Sequence, residues 1–309
     1  MRIQILGSAA GGGFPQWNCN CRNCHALRGG TFSGKARTQT QIAVSNSSDS
    51  WFLLNASPDL RLQIEATAEL HPRHGRRDSP IAGVVLTSAD IDQIAGLLSL
   101  RELQPFRLYC TASLRRILQD DNSVFAMLNR IPEQVSWAEI QASETFPLRR
   151  SDGAECGLTC SVFSLGCRYP MYVSLQRTEQ LNPAEALLGL TLESESGGRL
   201  AYMPAVPAIS KSLIERLESS DVILFDGTFW TDDELIQVQG SGATAREMGH
   251  VPVSGSNGSL NTLAGLKRPR KIFIHVNNTN PMLNEAGPEY REVREAGWEI
   301  AEDGWSIQL

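Results

Sequence analysis

Three cysteines and a histidine stand close together in the stretch NCNCRNCH. Cys19, Cys21 and Cys24 are followed directly by His25. Three thiolates on one loop can converge on a soft divalent ion, and Zn²⁺ prefers such ligands in a closed tetrahedron when its role is structural. Polar residues separate the thiols, which is untypical of cysteines packed in a core. The stretch therefore predicts a structural zinc loop at about residues 17–27, with His25 or the distant segment HVNNTN supplying the fourth ligand.

Two carboxylates, Asp90 and Asp92, follow the apolar run IAGVVL in the stretch LTSADIDQIAGLL. One interpretation is structural, because aspartate commonly caps helices and Asp92 could cap a helix that starts at Ile94. The other is chemical, because a carboxylate pair at the end of a buried strand can bind a metal ion. The loop by itself is compatible with both interpretations.

Polar side chains also follow three later segments, DVILFDGTFW, REMGHVPVSG and KIFIHVNNTNP. These segments place Asp226, His250 and His275 where predicted strands or loops end. Strand ends gathered at one edge of a sheet would bring these three side chains around one point, together with Asp90 and Asp92. A ligand set of carboxylate oxygens and imidazole nitrogens suits Mn²⁺, Fe²⁺ or Zn²⁺.

The elements that must position these residues are short β-rich runs and a few amphipathic helices. Strands are predicted at 2–6, 41–45, 51–55, 81–86, 107–110, 200–203, 221–225, 271–276 and 305–309. Helices are predicted at 58–70 (with Ser57 as N-cap), 94–103, 114–119, 209–218 and 284–296. This order favours two sheets covered by helices. No linker or repeat divides the chain, so we expect a single domain over residues 1–309.

Composition narrows the classes of function. The 309 residues carry 41% hydrophobic and 20% charged residues, which is typical of a globular protein. A formal charge of −6 provides no basic face for nucleic acid or an anionic membrane. No run approaches the roughly 18 apolar residues that span a bilayer, and the glycines soon after the first strand argue against a signal peptide. We therefore expect a cytoplasmic protein whose cysteines are reduced.

The motifs resemble those of the metallo-β-lactamase superfamily, and in particular the branch with an additional C-x-C-x-x-C zinc motif. The resemblance rests on ILGSAAGGGFPQWNCNCRNC, LNASPD and the x-x-D-x-D-x loop before GLL. It implies an αββα sandwich with its active site at the edge where strand ends of both sheets meet. Together, GGGFPQWNCNC, FDGTFW, MGHVPVSGS and HVNNTNP resemble a family of this branch that acts in pyrroloquinoline quinone (PQQ) biosynthesis.

The departures from the superfamily pattern are informative. Its H-x-H-x-D-H loop corresponds here to Ser88, Asp90, Asp92 and Gln93, so one of the four positions is kept. The aspartate that bridges two metals in hydrolase relatives is replaced by Ala205. A two-zinc hydrolytic centre needs several imidazoles and a bridging carboxylate. The sequence therefore favours one metal ion and argues against a two-zinc hydrolase or a phosphodiesterase.

The resemblance implies an enzyme of PQQ assembly that hydroxylates the tyrosine ring of a cross-linked Glu–Tyr precursor. A single ion, with Fe²⁺ favoured over Mn²⁺ or Zn²⁺, would use O₂. Its ligands would be Asp90, Asp92 and His275, with Gln93 and Asp226 as further ligands or orienting groups. His250 would act in acid/base chemistry, and Asn277, Asn278 and Arg246 would bind carboxylates of the small molecule.

A second interpretation is a carrier that binds PQQ or its precursor and helps to move it towards the periplasm without catalysis. This interpretation explains the altered metal loop directly, because binding alone does not need hydroxide chemistry. Phe14 and Trp17 flank the cysteines, and the zinc loop could brace a homodimer or pack within one subunit. The sequence predicts neither a nucleic-acid partner nor a membrane segment.

Overall fold

The protein is described by a computed structural model that covers residues 1–47 and 49–309. The chain forms two compact units. Unit 1 comprises Met1–Leu6, Gln41–Gly198 and Gly304–Leu309, and unit 2 comprises Gly7–Thr40 and Arg199–Asp303. The single-domain organisation over residues 1–309 stays a prediction.

Short strands dominate the described residues. The strands are β1 (Arg2–Gly7), β2 (Gln41–Ser45), β3 (Trp51–Leu54), β4 (Ile81–Val85), β5 (Phe106–Cys110), β6 (Val135–Glu139), β7 (Thr145–Arg149), β8 (Glu155–Gly166), β9 (Leu187–Ser194), β10 (Arg199–Met203), β11 (Val222–Asp226), β12 (Arg270–Ile274), β13 (Trp298–Ile300) and β14 (Ser306–Gln308).

The helices are also short. They are α1 (Arg22–Arg28), α2 (Leu60–Glu65), α3 (Ile91–Ile94), α4 (Ala112–Gln119), α5 (Leu175–Thr178), α6 (Lys211–Glu218), α7 (Glu234–Gln239), α8 (Ser259–Thr262) and α9 (Pro288–Glu295). Turns of 3₁₀ helix occupy Ala68–Leu70, Ala95–Arg101, Ser123–Asn129, Pro183–Glu185 and Pro281–Leu283. Within the described part of the chain, no helix combines the length and apolar character needed to cross a membrane.

Unit 1 contains a seven-stranded sheet in the order β14-β1-β2-β3-β4-β5-β6. The strands from β3 to β6 run parallel, and β7, β8 and β9 pair antiparallel in the same unit. Apolar residues three and four apart on α4 bury Leu114, Ile117 and Leu118 in the core of this unit. The loop that carries Asp90 and Asp92, called the acidic loop below, follows β4. It therefore starts at the carboxyl end of a parallel strand.

Unit 2 is built on the parallel strands β10, β11, β12 and β13. All five residues of β11 are buried, which explains its continuous apolar run. Trp298 stacks on Phe273 with ring centroids 4.1 Å apart and anchors this core. Asp226 at the end of β11 is in register with Ile274 at the end of β12. The two strands therefore deliver Asp226 and His275 to the same edge of the sheet.

The nine predicted strands are confirmed as β1 to β5, β10 to β12 and β14. The sequence interpretation missed β6, β7, β8, β9 and β13. In β6 every residue is half-buried or exposed, so the apolar alternation is weak. The three residues of β13 are too few to produce a pattern.

All five predicted helix starts differ from the structure. The helices expected from residues 114, 209 and 284 begin at Ala112, Lys211 and Pro288, and the other two differences change a capping assignment. The helix expected from residue 58 begins at Leu60, and its N-cap is Asp59 rather than Ser57. The helix expected from Ile94 is instead α3, which ends at Ile94 and passes into a 3₁₀ turn. Asp90 occupies the N-cap position of α3 without a side-chain cap bond, and Asp92 lies in the first turn. The capping interpretation of Asp92 is therefore wrong.

Candidate functional site

The three cysteines of the NCNCRNCH stretch converge in unit 2. Cys21 is the N-cap of α1, and its sulfur accepts a hydrogen bond from the Cys24 backbone amide at 3.5 Å. The turn into α1 thereby carries Cys24 back towards Cys19. The three sulfur atoms lie within 4.8 Å of one another. Thiolates at about 2.3 Å from a tetrahedral Zn²⁺ would lie roughly 3.8 Å apart, so the cluster fits a zinc ion after small side-chain movements.

Asn278 from the HVNNTN segment lies against this cluster. Its Nδ2 is 3.1 Å from the sulfur of Cys19, 3.6 Å from that of Cys21 and 3.3 Å from that of Cys24. Asn278 is 3% exposed, so this amide is held among the thiols. The oxygen and nitrogen of an amide exchange places by a flip, and the oxygen is the atom that can ligate a metal. The distant segment thus provides the fourth polar group.

His25, the other candidate for a fourth ligand, lies outside the cluster. Its side chain is exposed, and its Nδ1 is 3.2 Å from Oδ1 of Asn20. The first turn of α1 directs this ring away from the sulfur atoms. Among the alternatives left open by the sequence, the geometry favours Asn278.

The thiols differ in acidity. Burial raises the pKa of Cys21 to about 12. The hydrogen bond from the Cys24 backbone amide opposes this shift, and the thiols of Cys19 and Cys24 add to it. Burial acts in this direction on Cys19 too, but hydrogen bonds from Cys21, Cys24 and Asn278 outweigh it and lower the pKa of that thiol. Cys19 therefore ionises more readily than Cys21.

A second cluster in unit 2 consists of Asp226, His250 and His275. Each offers one ligand atom, and these atoms lie within 4.8 Å of one another. The two imidazole rings are 5.5 Å apart and nearly parallel, with an angle of 20° between them. Asp226 is fully buried, and the histidines are 8% and 7% exposed. The carboxylate is thus the most deeply buried of the three groups.

Asp226 receives hydrogen bonds on both oxygens. Oδ2 accepts from the Val206 backbone amide and from Nδ1 of His250, both at 2.8 Å. Oδ1 accepts from the Thr228 backbone amide at 3.0 Å and from the Thr228 hydroxyl at 2.6 Å. Nδ1 of His275 is 2.9 Å from the same hydroxyl oxygen. The carboxylate therefore contacts His250 directly and His275 through Thr228.

This network assigns the histidine tautomers. An ionised carboxylate only accepts hydrogen bonds, so Nδ1 of His250 carries the proton that points at Asp226. The Thr228 hydroxyl gives its proton to Asp226, so it accepts from Nδ1–H of His275. In both neutral rings the lone pair then lies on Nε2, which is the state that metal ligation or proton uptake requires.

The acidic loop lies in unit 1 and is organised by its own polar groups. The Ser88 hydroxyl donates to Oδ2 of Asp90 at 2.7 Å, and Nε2 of Gln93 donates to Oδ2 of Asp92 at 2.8 Å. Ser88 and Gln93 are, with Asp90, the three positions at which the superfamily pattern has histidine. Here they orient the two carboxylates.

Asn55 supports the acidic loop from β3. It is fully buried and has a φ of 68°, a left-handed conformation that asparagine tolerates better than most residues. Its Nδ2 donates to Oε1 of Gln93 at 2.5 Å, and its Oδ1 accepts from the Thr87 backbone amide at 2.8 Å. Tyr172 donates its hydroxyl to the carbonyl of Ala89. Burial, and then the charge of Asp90, raise the pKa of Tyr172 to about 12.

The predicted substrate-binding residues have different surroundings. Asn277 is half-buried, and its Nδ2 donates to the Thr279 hydroxyl at 2.5 Å. Asn278 lies at the cysteine cluster, so its contacts favour a role there rather than with substrate. Arg246 is exposed and donates to the Asn257 carbonyl at 3.1 Å.

The structure brings together several of the predicted residues, but in separate groups. Asp226, His250 and His275 form one group in unit 2, and Cys19, Cys21 and Cys24 form another there. Asp90, Asp92 and Gln93 form a third group, in unit 1. Convergence of the acidic loop and the histidines on one ion stays a prediction.

Three further buried polar residues lie beside these groups; the sequence pointed to Thr228 only as a hydrogen-bonding residue at the end of its strand and did not point to the other two. They are Thr228, which joins Asp226 to His275, Asn23, which lies in α1, and Glu234, which receives the Thr279 hydroxyl. Thr228 follows Asp226 by two residues, and this spacing was its one detectable signal. No pattern in the sequence distinguishes Asn23 or Glu234 from exposed residues.

Comparison with known proteins supports the fold. The family model described as Beta-lactamase superfamily domain matches residues 50–276 of the chain. The crystal structure of a diphosphatase from the PhnP family superposes with a TM-score of 0.68 at 18% identity, over 100% of this chain and 97% of that one. The predicted metallo-β-lactamase fold class, an αββα sandwich, is confirmed.

The most informative relatives match over the full length. Coenzyme PQQ synthesis protein B of Methylobacterium sp. (strain 4-46) is 42% identical over 100% of both chains. The crystal structure of Zn²⁺-bound PqqB from Methylobacterium extorquens has a TM-score of 0.91 at 40% identity, again over 100% of both chains. The chain therefore belongs to the PqqB family, the coenzyme PQQ synthesis protein B family, within the metallo-β-lactamase superfamily.

Proposed function

We propose that the chain acts in PQQ biosynthesis as a metal-dependent oxygenase. The reaction is hydroxylation of the tyrosine ring of a cross-linked Glu–Tyr precursor: one oxygen atom of O₂ enters the ring C–H bond, and the other leaves as water with two electrons and two protons from an external reductant. The observation that carries the proposal is the buried link from Asp226 through Thr228 to His275, with its direct branch to His250. This link fixes two imidazoles in the tautomer that ligates a metal. Family membership supports the pathway.

The donor set fits one borderline metal ion. Asp90, Asp92 and His275 are the proposed ligands, and Gln93 orients Asp92 through its 2.8 Å hydrogen bond. Carboxylate and imidazole donors suit Fe²⁺, with Mn²⁺ and Zn²⁺ as alternatives. Bound there, Fe²⁺ would supply the activation of O₂.

The remaining residues of the site orient groups and move protons. Asp226 lies behind the two rings and receives four hydrogen bonds, so it orients the histidines and stabilises a proton on His250. His250 carries its lone pair on Nε2 and serves as the acid/base group. Asn277 binds a carboxylate of the precursor.

The same geometry argues against two-zinc hydrolysis. Ser88 and Gln93 replace two imidazoles, and each of them donates a hydrogen bond to a carboxylate of the acidic loop. Ala205 cannot bridge two metals. A site with one metal and open positions is the arrangement that remains.

Oxygen consumption tests the proposal. Protein reconstituted anaerobically with Fe²⁺ and then mixed with the cross-linked Glu–Tyr precursor, O₂ and a two-electron reductant such as ascorbate should consume O₂ and release the ring-hydroxylated precursor. His275→Ala should abolish this turnover because it removes a ligand. His74→Ala is the matched control, since His74 is exposed on a loop of unit 1. Absence of turnover with Fe²⁺, Mn²⁺ and Zn²⁺, combined with tight binding of PQQ, would refute the oxygenase.

The alternative is a carrier that binds PQQ or its precursor and contributes to its transport towards the periplasm. One observation favours it: the polar groups of the acidic loop satisfy one another, as in Ser88 with Asp90 and Gln93 with Asp92. Equilibrium dialysis with PQQ and with the precursor separates the two proposals. A carrier binds at least one of them tightly and leaves it unchanged.

We further propose that Cys19, Cys21, Cys24 and the amide oxygen of Asn278 hold a structural zinc ion. The support is the contact of the Asn278 amide with all three sulfurs and the Zn²⁺-bound relative. We also propose a cytoplasmic homodimer. Trp17, at the start of the zinc loop, is 85% exposed and marks the surface to test. Light scattering of the parent and of Trp17→Ala measures this association.

A further inference from the structure

A buried asparagine joins the cysteine helix to the loop that carries His275. Asn23 lies in α1, between Cys21 and Cys24, and is 8% exposed. Its Nδ2 donates to the carbonyl of Asn278 at 3.1 Å and to the carbonyl of Asn280 at 3.0 Å. Both protons of one side-chain amide are thus used to bind the backbone of a segment more than 250 positions away.

The loop that Asn23 binds, residues 275–280, is irregular and needs such support. His275 has a φ of 59°, which is uncommon for a residue other than glycine. Nδ2 of Asn280 donates to the carbonyls of Gly227 and Thr228 at 3.1 and 3.3 Å. The Asn277 backbone amide donates to the carbonyl of Thr228 at 3.0 Å. The loop is thereby fixed to the end of β11 on one side and to α1, through Asn23, on the other.

We propose that Asn23 is a positioning residue for His275. Its two hydrogen bonds hold loop 275–280 in the conformation that keeps Nδ1 of His275 on Thr228. Both bonds end on backbone carbonyls and not on sulfur atoms, so Asn23 acts on the loop without being a zinc ligand. The inference rests on the proposed function only in that His275 is taken as a metal ligand.

The consequence is a physical connection between the two candidate metal sites. The side chain of Asn278 contacts the thiols, and the backbone carbonyl of Asn278 accepts a hydrogen bond from Asn23. Any shift of α1 is therefore transmitted to the backbone three residues beyond His275. Loss of the Asn23 amide should loosen the loop while the cysteines stay in place.

The test compares amide hydrogen exchange and histidine ring signals in full-length variants. Asn23→Ala should speed exchange of the Asn280, Met282 and Leu283 amides by about tenfold, because two buried hydrogen bonds are lost. It should also shift the imidazole ¹⁵N signals of His275. Asn23→Asp should act more strongly, since its carboxylate faces two carbonyl oxygens. Asn20→Ala is the control, because Asn20 is an exposed asparagine of the zinc loop. It should change neither the amide exchange nor the His275 signals.

Zinc content decides between this role and a general loss of the cysteine site. Zinc retained in Asn23→Ala, with faster loop exchange and shifted His275 signals, supports the proposal. Loop exchange equal to that of the parent overturns it. If Asn23→Ala also loses zinc, the Cys19→Ser/Cys21→Ser variant becomes the reference. Exchange faster than in that variant supports the proposal, and equal exchange overturns it. None of these measurements requires turnover, so failure of the oxygenase proposal is recognised separately.

Discussion

The hydroxyl oxygen of Thr228 lies 2.9 Å from Nδ1 of His275, and its proton is directed at Asp226. A residue with the same shape but no hydroxyl would lose both the hydrogen bond to Asp226 and the one to His275. Thr228→Val should weaken metal binding at the histidine site about ten- to hundredfold, as loss of an orienting partner commonly does. Calorimetric titration of the metal-free protein with Fe²⁺ or Zn²⁺ measures the change.

Thr228→Ser is the matched control for this prediction. Serine keeps the hydroxyl, so affinity should stay near that of the parent. Equal affinities in the valine and serine variants would show that the hydroxyl does not orient His275.

The cysteine cluster predicts a metal stoichiometry. Cys19→Ser/Cys21→Ser should contain one fewer zinc per chain than the parent, because hydroxyl groups replace two of the thiolate ligands. Cys167→Ser is the control, since that cysteine is exposed and lies outside the cluster. Elemental analysis of the purified proteins measures the ratio. An unchanged zinc content in the double variant would refute the assignment.

The parts of the site that could be predicted are those set by regular structure. The cysteine spacing indicated one cluster, and β11 and β12 are apolar runs whose parallel pairing brings Asp226 and His275 together. Backbone conformation in loops sets the rest. The left-handed φ of His275 directs the following residues so that Asn278 reaches the thiols. No sequence period encodes such a path, so the sequence offered the HVNNTN segment only as one of two sources of the fourth ligand and did not single out Asn278.

Asn55 gives a prediction for the acidic loop. Asn55→Ala should lower the free energy of unfolding by about 2–4 kcal/mol, because the Thr87 amide and Gln93 Oε1 lose buried hydrogen bonds. Urea denaturation measures the change. Glu133→Ala is the control for backbone strain, since Glu133 is exposed and has a φ of 67°. A cost for Asn55→Ala no larger than that of Glu133→Ala would contradict the role of the hydrogen bonds.

Glu234 is a buried carboxylate beside loop 275–280. It accepts hydrogen bonds from the Thr279 hydroxyl and from the Trp230 backbone amide. Burial raises the pKa of Glu234 from 4.5 to about 7, although these hydrogen bonds act in the opposite direction. The folded chain therefore holds this proton more tightly than the unfolded chain. The resulting stabilisation is fully present below pH 4.5 and is lost as the pH rises through about 7.

Glu234→Gln should remove this part of the pH dependence, because glutamine does not ionise. The stability of the parent relative to the variant should fall by on the order of 2 kcal/mol between about pH 5 and pH 8. Urea denaturation at several pH values gives the difference curve, which cancels the titration of groups that both proteins share. Glu247→Gln, at an exposed position of the same unit, is the control for replacing a carboxylate by an amide. A flat curve for Glu234→Gln would contradict the prediction. It would mean that the carboxylate is charged in the folded protein throughout this pH range, because its hydrogen bonds offset the effect of its burial.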